Sequence, residues 1–150
     1  MAYNLNQVAM ITGLTARTLQ NHLKQGILSG EKINGVWSFT EEALNEYIAH
    51  PSVKQVIHAK HHSVVFDFLD DSFKKTNRIC TIMDFPVSAD EALSIASFFS
   101  SMISSSGNDI EFRFINEKNL ARFILSGSEE QVCHLMKAYY AQDSAADSNE

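Results

Sequence analysis

Two short amphipathic segments and a tight hairpin signal occupy the first 40 residues of the chain. In the first segment Asn6 is the predicted N-cap, and Gly13 ends the helix. Thr15 is the predicted cap of a second helix over residues 16–25. Asn34-Gly35, the strongest short hairpin signal, then joins two brief runs with strand character. These capping and turn residues predict a small unit of short helices followed by one hairpin.

The second predicted helix divides into an apolar and a polar face. Leu19 and Leu23 lie one turn apart and are predicted to face inward. The opposite face is polar and carries Arg17, Gln20, Asn21 and Lys24. Such side chains can read base edges when a helix lies in the major groove of DNA. The pattern predicts a winged helix-turn-helix, with residues 16–25 as recognition helix and the hairpin as wing.

The residue pattern of this segment resembles the DNA-binding domain of MerR-type regulators and their excisionase-type relatives, over about a third of the chain. The resemblance rests on Val8-Ala9, Gly13-Leu14-Thr15, Arg17-Thr18-Leu19, Gly26-Ile27-Leu28, Asn34-Gly35, Trp37 and Phe39-Thr40-Glu41-Glu42-Ala43-Leu44. It implies a DNA-binding domain over residues 1–50. The residues expected to contact double-stranded DNA are Thr15, Arg17, Thr18, Gln20, Asn21, Lys24, Lys32 and Asn34.

Some positions depart from the regulator pattern. Gln20, Asn21 and His22 stand where MerR-type proteins usually carry an arginine followed by two tyrosines. Trp37 occupies a wing position that is often arginine, so the Gly35, Trp37, Phe39 spelling is closer to the excisionase branch. Because Trp37 alternates with Phe39 along a strand, we expect it to pack under the wing rather than at a phosphate.

Charge is divided unequally along the chain. Residues 1–62 hold five basic and four acidic side chains, a net of +1, whereas residues 63–150 hold seven and fourteen, a net of −7. Phosphate neutralisation supplies most of the affinity for DNA, so one copy would bind weakly. Two copies would double the contacts and read a palindromic site. We therefore expect a homodimer whose acidic body is held away from the duplex.

A connecting segment over residues 51–75 is predicted to be a linker or dimerisation helix. Thr40 caps a preceding helix that His50-Pro51 terminates, and Ser52 with Gln55 forms a capping box for a helix over residues 53–74. A break at the polar residues 60–63, or a strand over residues 64–69, are the alternatives. The predicted apolar stripe, which suits a partner helix or the protein's own core, comprises Val53, Val56, Ile57, Val65, Phe66, Leu69 and Phe73.

The remaining chain is predicted to follow the order β-α-β-β-α over residues 76–141. Its strands are residues 78–85, 110–114 and 120–126, and its helices are opened by Ser88 and Ser128. This order resembles a ferredoxin-like sandwich lacking its last strand, with residues 120–126 central and residues 78–85 at an open edge. We expect a dimerisation or effector domain here, able to take a small molecule or a protein, and a disordered acidic tail over residues 142–150.

Several other classes of protein lack support in the sequence. No apolar stretch reaches the length of a membrane span and the N-terminus has no signal-peptide layout, so we expect a cytoplasmic protein without membrane contact. Cys80 and Cys133 lack C-x-x-C spacing and are expected to be buried thiols. His58 and His62 lie one helical turn apart, but no further ligand completes a metal site. Without a phosphate-binding loop or nucleophile elbow, we expect neither enzymatic activity nor a cofactor.

The sequence therefore predicts an α+β protein with an N-terminal winged helix-turn-helix, a linker helix and a C-terminal ferredoxin-like sandwich. Its expected function is that of a dimeric DNA-binding transcriptional regulator. An excisionase-like accessory factor of a mobile element and a protein-interaction adaptor without DNA binding are the alternatives. Excisionase-type factors are usually little more than the small basic domain, so the acidic second half favours a regulator.

Overall fold

The computed structural model describes residues 2–106 and 109–147. These residues form helices and two antiparallel three-stranded sheets, which confirms the α+β class. The helices are α1 (Leu5–Thr12), α2 (Ala16–Lys24), α3 (Glu41–Ala49), α4 (Pro51–Asp70), α5 (Ala89–Ser106) and α6 (Glu129–Asp147). The strands are β1 (Ala2–Tyr3), β2 (Glu31–Ile33), β3 (Val36–Thr40), β4 (Arg78–Phe85), β5 (Glu111–Glu117) and β6 (Leu120–Ser128).

Side-chain caps begin the first three helices. The backbone N–H of Gln7 donates to Asn4 Oδ1 at 2.9 Å, and that of Asn4 donates to Gln7 Oε1 at 2.8 Å. The predicted cap at Asn6 was wrong, because only Asn4 has a glutamine three residues later to complete a capping box. The caps at Thr15 and Thr40 are confirmed, as is the end of α1 at Gly13, whose φ of 72° suits glycine.

The hairpin forms as predicted. Asn34 and Gly35 have φ angles of 53° and 81°, the left-handed conformation that a two-residue turn of this kind requires at both positions. In the register Lys32 faces Trp37 and Ile33 faces Val36. The other edge of β3 pairs with β1, which ties the start of the chain to the hairpin.

Helix α4 runs without interruption from Pro51 to Asp70. Its cap is His50, whose Nδ1 accepts a hydrogen bond from the Ser52 N–H at 3.3 Å, so the predicted capping box of Ser52 was wrong. The predicted helix is therefore confirmed over its alternatives, a break at residues 60–63 and a strand over residues 64–69, whereas its predicted end at residue 74 was wrong. Val53, Ile57, His61 and Val64 are buried at helical spacing. Because a histidine fills one of these positions, the apolar pattern looked interrupted.

The predicted apolar stripe of this helix divides into two parts. Val53 and Ile57 belong to the protein's own core. Phe66, Leu69 and Phe73 are exposed, at 61%, 68% and 88% of their surface. The first part is therefore unavailable to a partner, whereas the second remains open.

The order of the C-terminal sheet is β4-β6-β5, which confirms that β6 is central and β4 is an edge strand. Helices α5 and α6 cover one face through a cluster of rings, with Phe99 and Tyr139 at centroid distances of 5.6 and 5.9 Å from Phe123 and Phe85. Helix α4 packs on β5 and β6. Within the described residues the second edge of β4 pairs with no strand.

Helix α6 continues to Asp147, so the predicted disordered tail was wrong for residues 142–147. Ser144 Oγ donates to the Tyr140 carbonyl at 3.0 Å within this last part. The alanines of the segment are strong helix formers, which outweighs its polar composition. Residues 148–150 of the predicted tail lie outside the described residues.

Both halves of the chain share one hydrophobic core. Buried residues from Tyr3 to Leu135 form a single cluster, and α1 packs against α5 and β5. Ser97 Oγ on α5 donates to the Tyr3 hydroxyl at 3.3 Å. A Cβ added at Gly13 would lie 3.1 Å from Arg113 Cδ on β5, so the turn before α2 touches the second sheet directly. The C-terminal body thus packs directly against α1 and α3.

Candidate nucleic-acid interface

Helix α2 is anchored on its inner side by an apolar and a polar contact. Leu19 is fully buried, and His22 Nδ1 lies 2.6 Å from the Tyr47 hydroxyl of α3. Burial raises the pKa of the Tyr47 hydroxyl above its ordinary value. In the sequence, His22 stood out only as a departure from the MerR-type pattern. In the structure, the contact of His22 with Tyr47 fixes the rotation of α2 about its own axis relative to α3.

The outer face of α2 is polar, as the sequence predicted. Arg17, Gln20, Asn21 and Lys24 are all exposed. The first 30 residues of the sequence contain no acidic side chain. Within the described part of the chain, neither Arg17 nor Lys24 forms a salt bridge. Their positive charges and hydrogen-bonding groups are therefore available to an external ligand.

Thr15 and Thr18 serve the start of the helix. The N–H of Thr18 donates to Thr15 Oγ1 at 3.2 Å, and the two hydroxyl oxygens lie 3.0 Å apart. The Thr15 hydroxyl also satisfies a backbone donor at the helix end, which is the usual role of an N-cap. Contacts of these two residues to DNA stay a prediction.

The hairpin adds a positive side chain to the same surface. Lys32 Nζ lies 5.2 Å from the centre of the Trp37 ring, within the range of a cation–π contact. Trp37 in turn stacks on the buried Phe39 at 6.1 Å, with an angle of 16° between the rings. Trp37 was expected to be packed under the wing; it stacks on Phe39 but stays half-exposed and contacts Lys32 through its ring.

A shallow cavity of about 410 Å³ lies between α2 and the hairpin and is lined by Gln20, Leu23, Lys24, Lys32 and Trp37. It brings together residues from both elements that the sequence assigned to DNA contact. We call the exposed side chains of Arg17, Gln20, Asn21, Lys24 and Lys32 the α2–hairpin surface. Asn34 lies at the tip of the hairpin instead and does not line this cavity.

The tip of the hairpin carries an apolar pair that sequence reasoning missed. Ile33 and Val36 face each other across the strands, with 56% and 61% of their surfaces exposed. Their pairing could have been read from the Asn34-Gly35 turn, because a two-residue turn fixes which flanking residues are opposite.

Other candidate groups do not assemble into a chemical centre. Within residues 2–106 and 109–147, no three histidine, cysteine or acidic side chains are placed to share a metal ion. Cys80 and Cys133 are half-buried free thiols rather than buried ones, and burial raises the pKa of Cys80. No helix in the described residues is long and apolar enough to cross a bilayer.

Comparison with known proteins gives no relative. No protein-family model, no curated protein and no solved structure matches the chain. The resemblance to MerR-type and excisionase-type domains therefore rests on the N-terminal residues alone.

Proposed function

We propose that this protein is a DNA-binding transcriptional regulator that acts as a dimer. The observation that supports it best is the α2–hairpin surface, where a helix and a hairpin expose three cations and two amide side chains, of which Gln20, Lys24 and Lys32 line one concavity. In the proposed arrangement α1 and α2 are the helix-turn-helix of a MerR-like or excisionase-like domain. Helix α2 enters the major groove and β2–β3 is the wing.

The chemistry of the surface suits both parts of DNA recognition. Arg17, Gln20 and Asn21 carry the donors and acceptors that distinguish base pairs in the major groove. Lys24 and Lys32 suit phosphate oxygens, which supply affinity but no sequence preference. The C-terminal sandwich, ferredoxin-like in this proposal, would then dimerise or respond to an effector. The proposal includes no catalytic step and no cofactor.

Dimerisation is the part of the proposal that converts a small positive charge into useful affinity. The surfaces available for it are the open edge of β4 and the exposed side chains Leu69 and Phe73. Unpaired strand edges and exposed large apolar groups are both costly to leave in water. Two linked copies would gain effective concentration on a two-part site.

Two other functions share parts of this surface. The Gly35, Trp37, Phe39 spelling favours an excisionase-like factor, which would also bind DNA through α2. The exposed pair Ile33 and Val36 favours an adaptor, because an apolar hairpin tip can dock on another protein.

The proposal is tested by selecting duplexes from a random pool and titrating the selected site at fixed salt. Arg17→Ala should weaken binding to that site by ~1 to 3 kcal/mol, because it removes a base contact without disturbing buried groups. Lys32→Ala should weaken all duplexes alike. Lys137→Ala, an exposed lysine on α6, is the control and should have no effect. Enrichment of no duplex, or equal affinity in Arg17→Ala with an unchanged circular dichroism spectrum, would refute the assignment.

Light scattering on the full chain tests the dimer. The wild type should have twice the mass of one chain at tens of micromolar, and Leu69→Glu should shift it toward the monomer because a buried unpaired charge is costly. Gln55→Glu, which adds the same charge at an exposed polar position of the same helix, is the control. A wild type that is monomeric would remove dimerisation from the proposal.

A further inference from the structure

A cavity of about 380 Å³ lies between α4 and the face of the C-terminal sheet that α5 and α6 leave uncovered. Its volume falls within the range of roughly 300 to 1,000 Å³ found for small-molecule sites. Residues from α4 and from all three strands line it. The apolar part of the wall consists of Val65, Phe66, Ile82, Ile115, Leu120 and Ile124. We call this cavity the α4 groove.

The charged side chains around the groove already have partners. Arg122 makes two hydrogen bonds to the Asp84 carboxylate, at 2.7 and 2.8 Å. Glu117 lies 2.8 Å from Lys54 Nζ and 3.5 Å from His58 Nε2. A charged ligand would have to compete with these pairs, and an ion moved from water into an apolar wall loses its hydration. The groove therefore favours an uncharged molecule.

One polar group in the wall, His61, lacks a well-formed hydrogen bond. It has only 2% of its surface exposed, and within the described residues neither ring nitrogen makes a hydrogen bond of normal length and angle, although the Phe114 backbone lies close enough to affect its protonation. Burial lowers the pKa of His61 to about 4; the Phe114 backbone opposes this shift, and the nearby charges of Arg113, His58 and Arg122 add to it. The ring is neutral at pH 7 and carries one N–H donor and one acceptor. Buried polar groups in proteins are normally hydrogen-bonded, so this one is available to a ligand.

We propose that the α4 groove binds an uncharged small molecule with an apolar body of about two fused rings and one hydroxyl, carbonyl or amine that hydrogen-bonds to His61. The body would contact the apolar wall, and side chains of the groove would have to shift to bring the polar group to the buried ring of His61. Binding itself stands independently of DNA recognition. The role of this ligand as an effector rests on the proposed function.

The test uses N-phenylnaphthylamine, an uncharged dye that fluoresces in apolar sites, with the intact full chain. Its fluorescence should rise saturably with one site per chain. Anilinonaphthalene sulfonate has the same ring system with one negative charge added, and it should bind at least ten times more weakly. Equal affinity for the two dyes would contradict the uncharged class of ligand.

Two variants locate the site. Ile82→Trp fills the groove from β4, where Ile82 is 53% exposed and plays no part in the core, and should abolish saturable dye binding. Val56→Trp introduces the same side chain on the solvent side of α4, outside the groove, and should bind the dye like the wild type. Thermal unfolding confirms that both variants are folded. Unchanged binding in Ile82→Trp would overturn the proposal.

Another copy of the chain is the competing occupant of this groove. Light scattering on the same samples distinguishes the two cases. If the wild type binds no dye and Ile82→Trp changes the mass of the assembly, the groove is an interface between copies and the ligand proposal is overturned. An unchanged mass with loss of the dye supports it. Absence of DNA binding alone would refute the proposed function and leave dye binding untouched.

The polar contact is tested by displacement of the dye. Naphthol, which carries one hydroxyl, should displace it at a concentration at least ten times lower than naphthalene does. In His61→Leu, which keeps the apolar volume, this preference should disappear while the dye still binds. Equal displacement by the two compounds in the wild type would remove His61 from the site.

Discussion

The α2–hairpin surface and the α4 groove differ in whether their charged side chains are paired with opposite charges. On the first, Arg17, Lys24 and Lys32 project into solvent without a salt bridge among the described residues. At the second, Arg122 and Glu117 are each engaged by an opposite charge. Free cations attract a polyanion over a distance, whereas paired ions around an apolar wall discriminate against charge. The two surfaces therefore suit very different ligands.

The two regions also differ in the interactions that position their residues. The α2–hairpin surface is positioned by local devices: a threonine cap, a two-residue turn and the hydrogen bond between His22 and Tyr47. The α4 groove exists only because residues from α4, β4 and the β5–β6 hairpin meet. Both nevertheless depend on the same core, since α1 packs on β5 and α4 packs on β5 and β6.

The shared core leads to the largest expected effect. A fragment of residues 1–50 should show no cooperative thermal transition, although it contains every residue of the α2–hairpin surface. Val8 and Ile11 are fully buried within the common cluster, and exposing such side chains costs on the order of 1.5 to 3 kcal/mol each. Calorimetry of the fragment beside the full chain is the measurement. A cooperative transition near that of the full chain would show that the two regions are energetically separate.

Acid should lower the free energy of unfolding through His61 in the groove, and this is the second largest expected effect. The pKa of His61 is about 4 in the folded chain against an ordinary value of 6.5, so only the unfolded chain binds its proton between those values. The contribution of neutral His61 to the free energy of unfolding is fully present above pH 6.5. It is lost as the pH is lowered toward 4, by about 3 kcal/mol in total. Urea unfolding of wild type and His61→Leu across this window measures it. An equal loss in the variant would show that His61 is not the cause.

The hairpin gives a smaller effect that concerns the other surface. Gly35→Ala should cost about 1 to 2 kcal/mol, because φ is 81° and a Cβ there would touch nothing within 4 Å, so the cost is purely that of the backbone. Asn34→Gly, at the other position of the turn, should be nearly neutral and is the control. Urea midpoints of the two variants decide this prediction. A neutral Gly35→Ala would mean that the turn changes type in solution.

The smallest effect is expected at the paired ions of the groove. Asp84→Asn should lower stability by less than about 1 kcal/mol, because both Asp84 and Arg122 remain well exposed and water screens the pair. The variant also releases the Arg122 guanidinium, so it should strengthen binding of the anionic dye relative to the neutral one. Chemical denaturation and dye titration together measure both changes. An unchanged preference between the dyes would show that pairing at Arg122 does not exclude anions.

These differences explain which parts of the fold could be predicted. The caps at Thr15 and Thr40, the Asn34-Gly35 turn and the exposed polar face of α2 follow from residues close in sequence. Strand β6 was correctly placed in the centre because the connections of a β-α-β-β unit leave few arrangements. Helix α4 was predicted correctly through its middle but wrongly at its cap and its end. Its buried face includes His61, and only the sheet packed against it makes a histidine an interior residue.

The exposed apolar groups show the same limit. Periodicity placed Phe66, Leu69 and Phe73 with Val53 and Ile57 in one stripe, yet only the last two reach the core. Burial along a 20-residue helix depends on how far the partner surface extends, which spacing alone does not encode. The groove was missed for the same reason, since its wall is assembled from α4, β4 and the β5–β6 hairpin, which are separated in sequence.

The central claim, that the α2–hairpin surface binds DNA through its own cations, is tested most directly by the salt dependence of duplex affinity in two triple variants. Arg17→Gln, Lys24→Gln and Lys32→Gln remove three charges from this surface. Lys75→Gln, Lys118→Gln and Lys137→Gln remove three exposed charges from the C-terminal half and leave the same net charge.

In a plot of the logarithm of the association constant against that of the salt concentration, the first variant should lose about 4 to 5 from the magnitude of the slope, since the dimer carries two copies of the surface and each phosphate contact contributes about 0.9. The second should keep the wild-type slope. Equal slopes in the two variants would mean that net charge alone governs binding, and that the α2–hairpin surface is not the site.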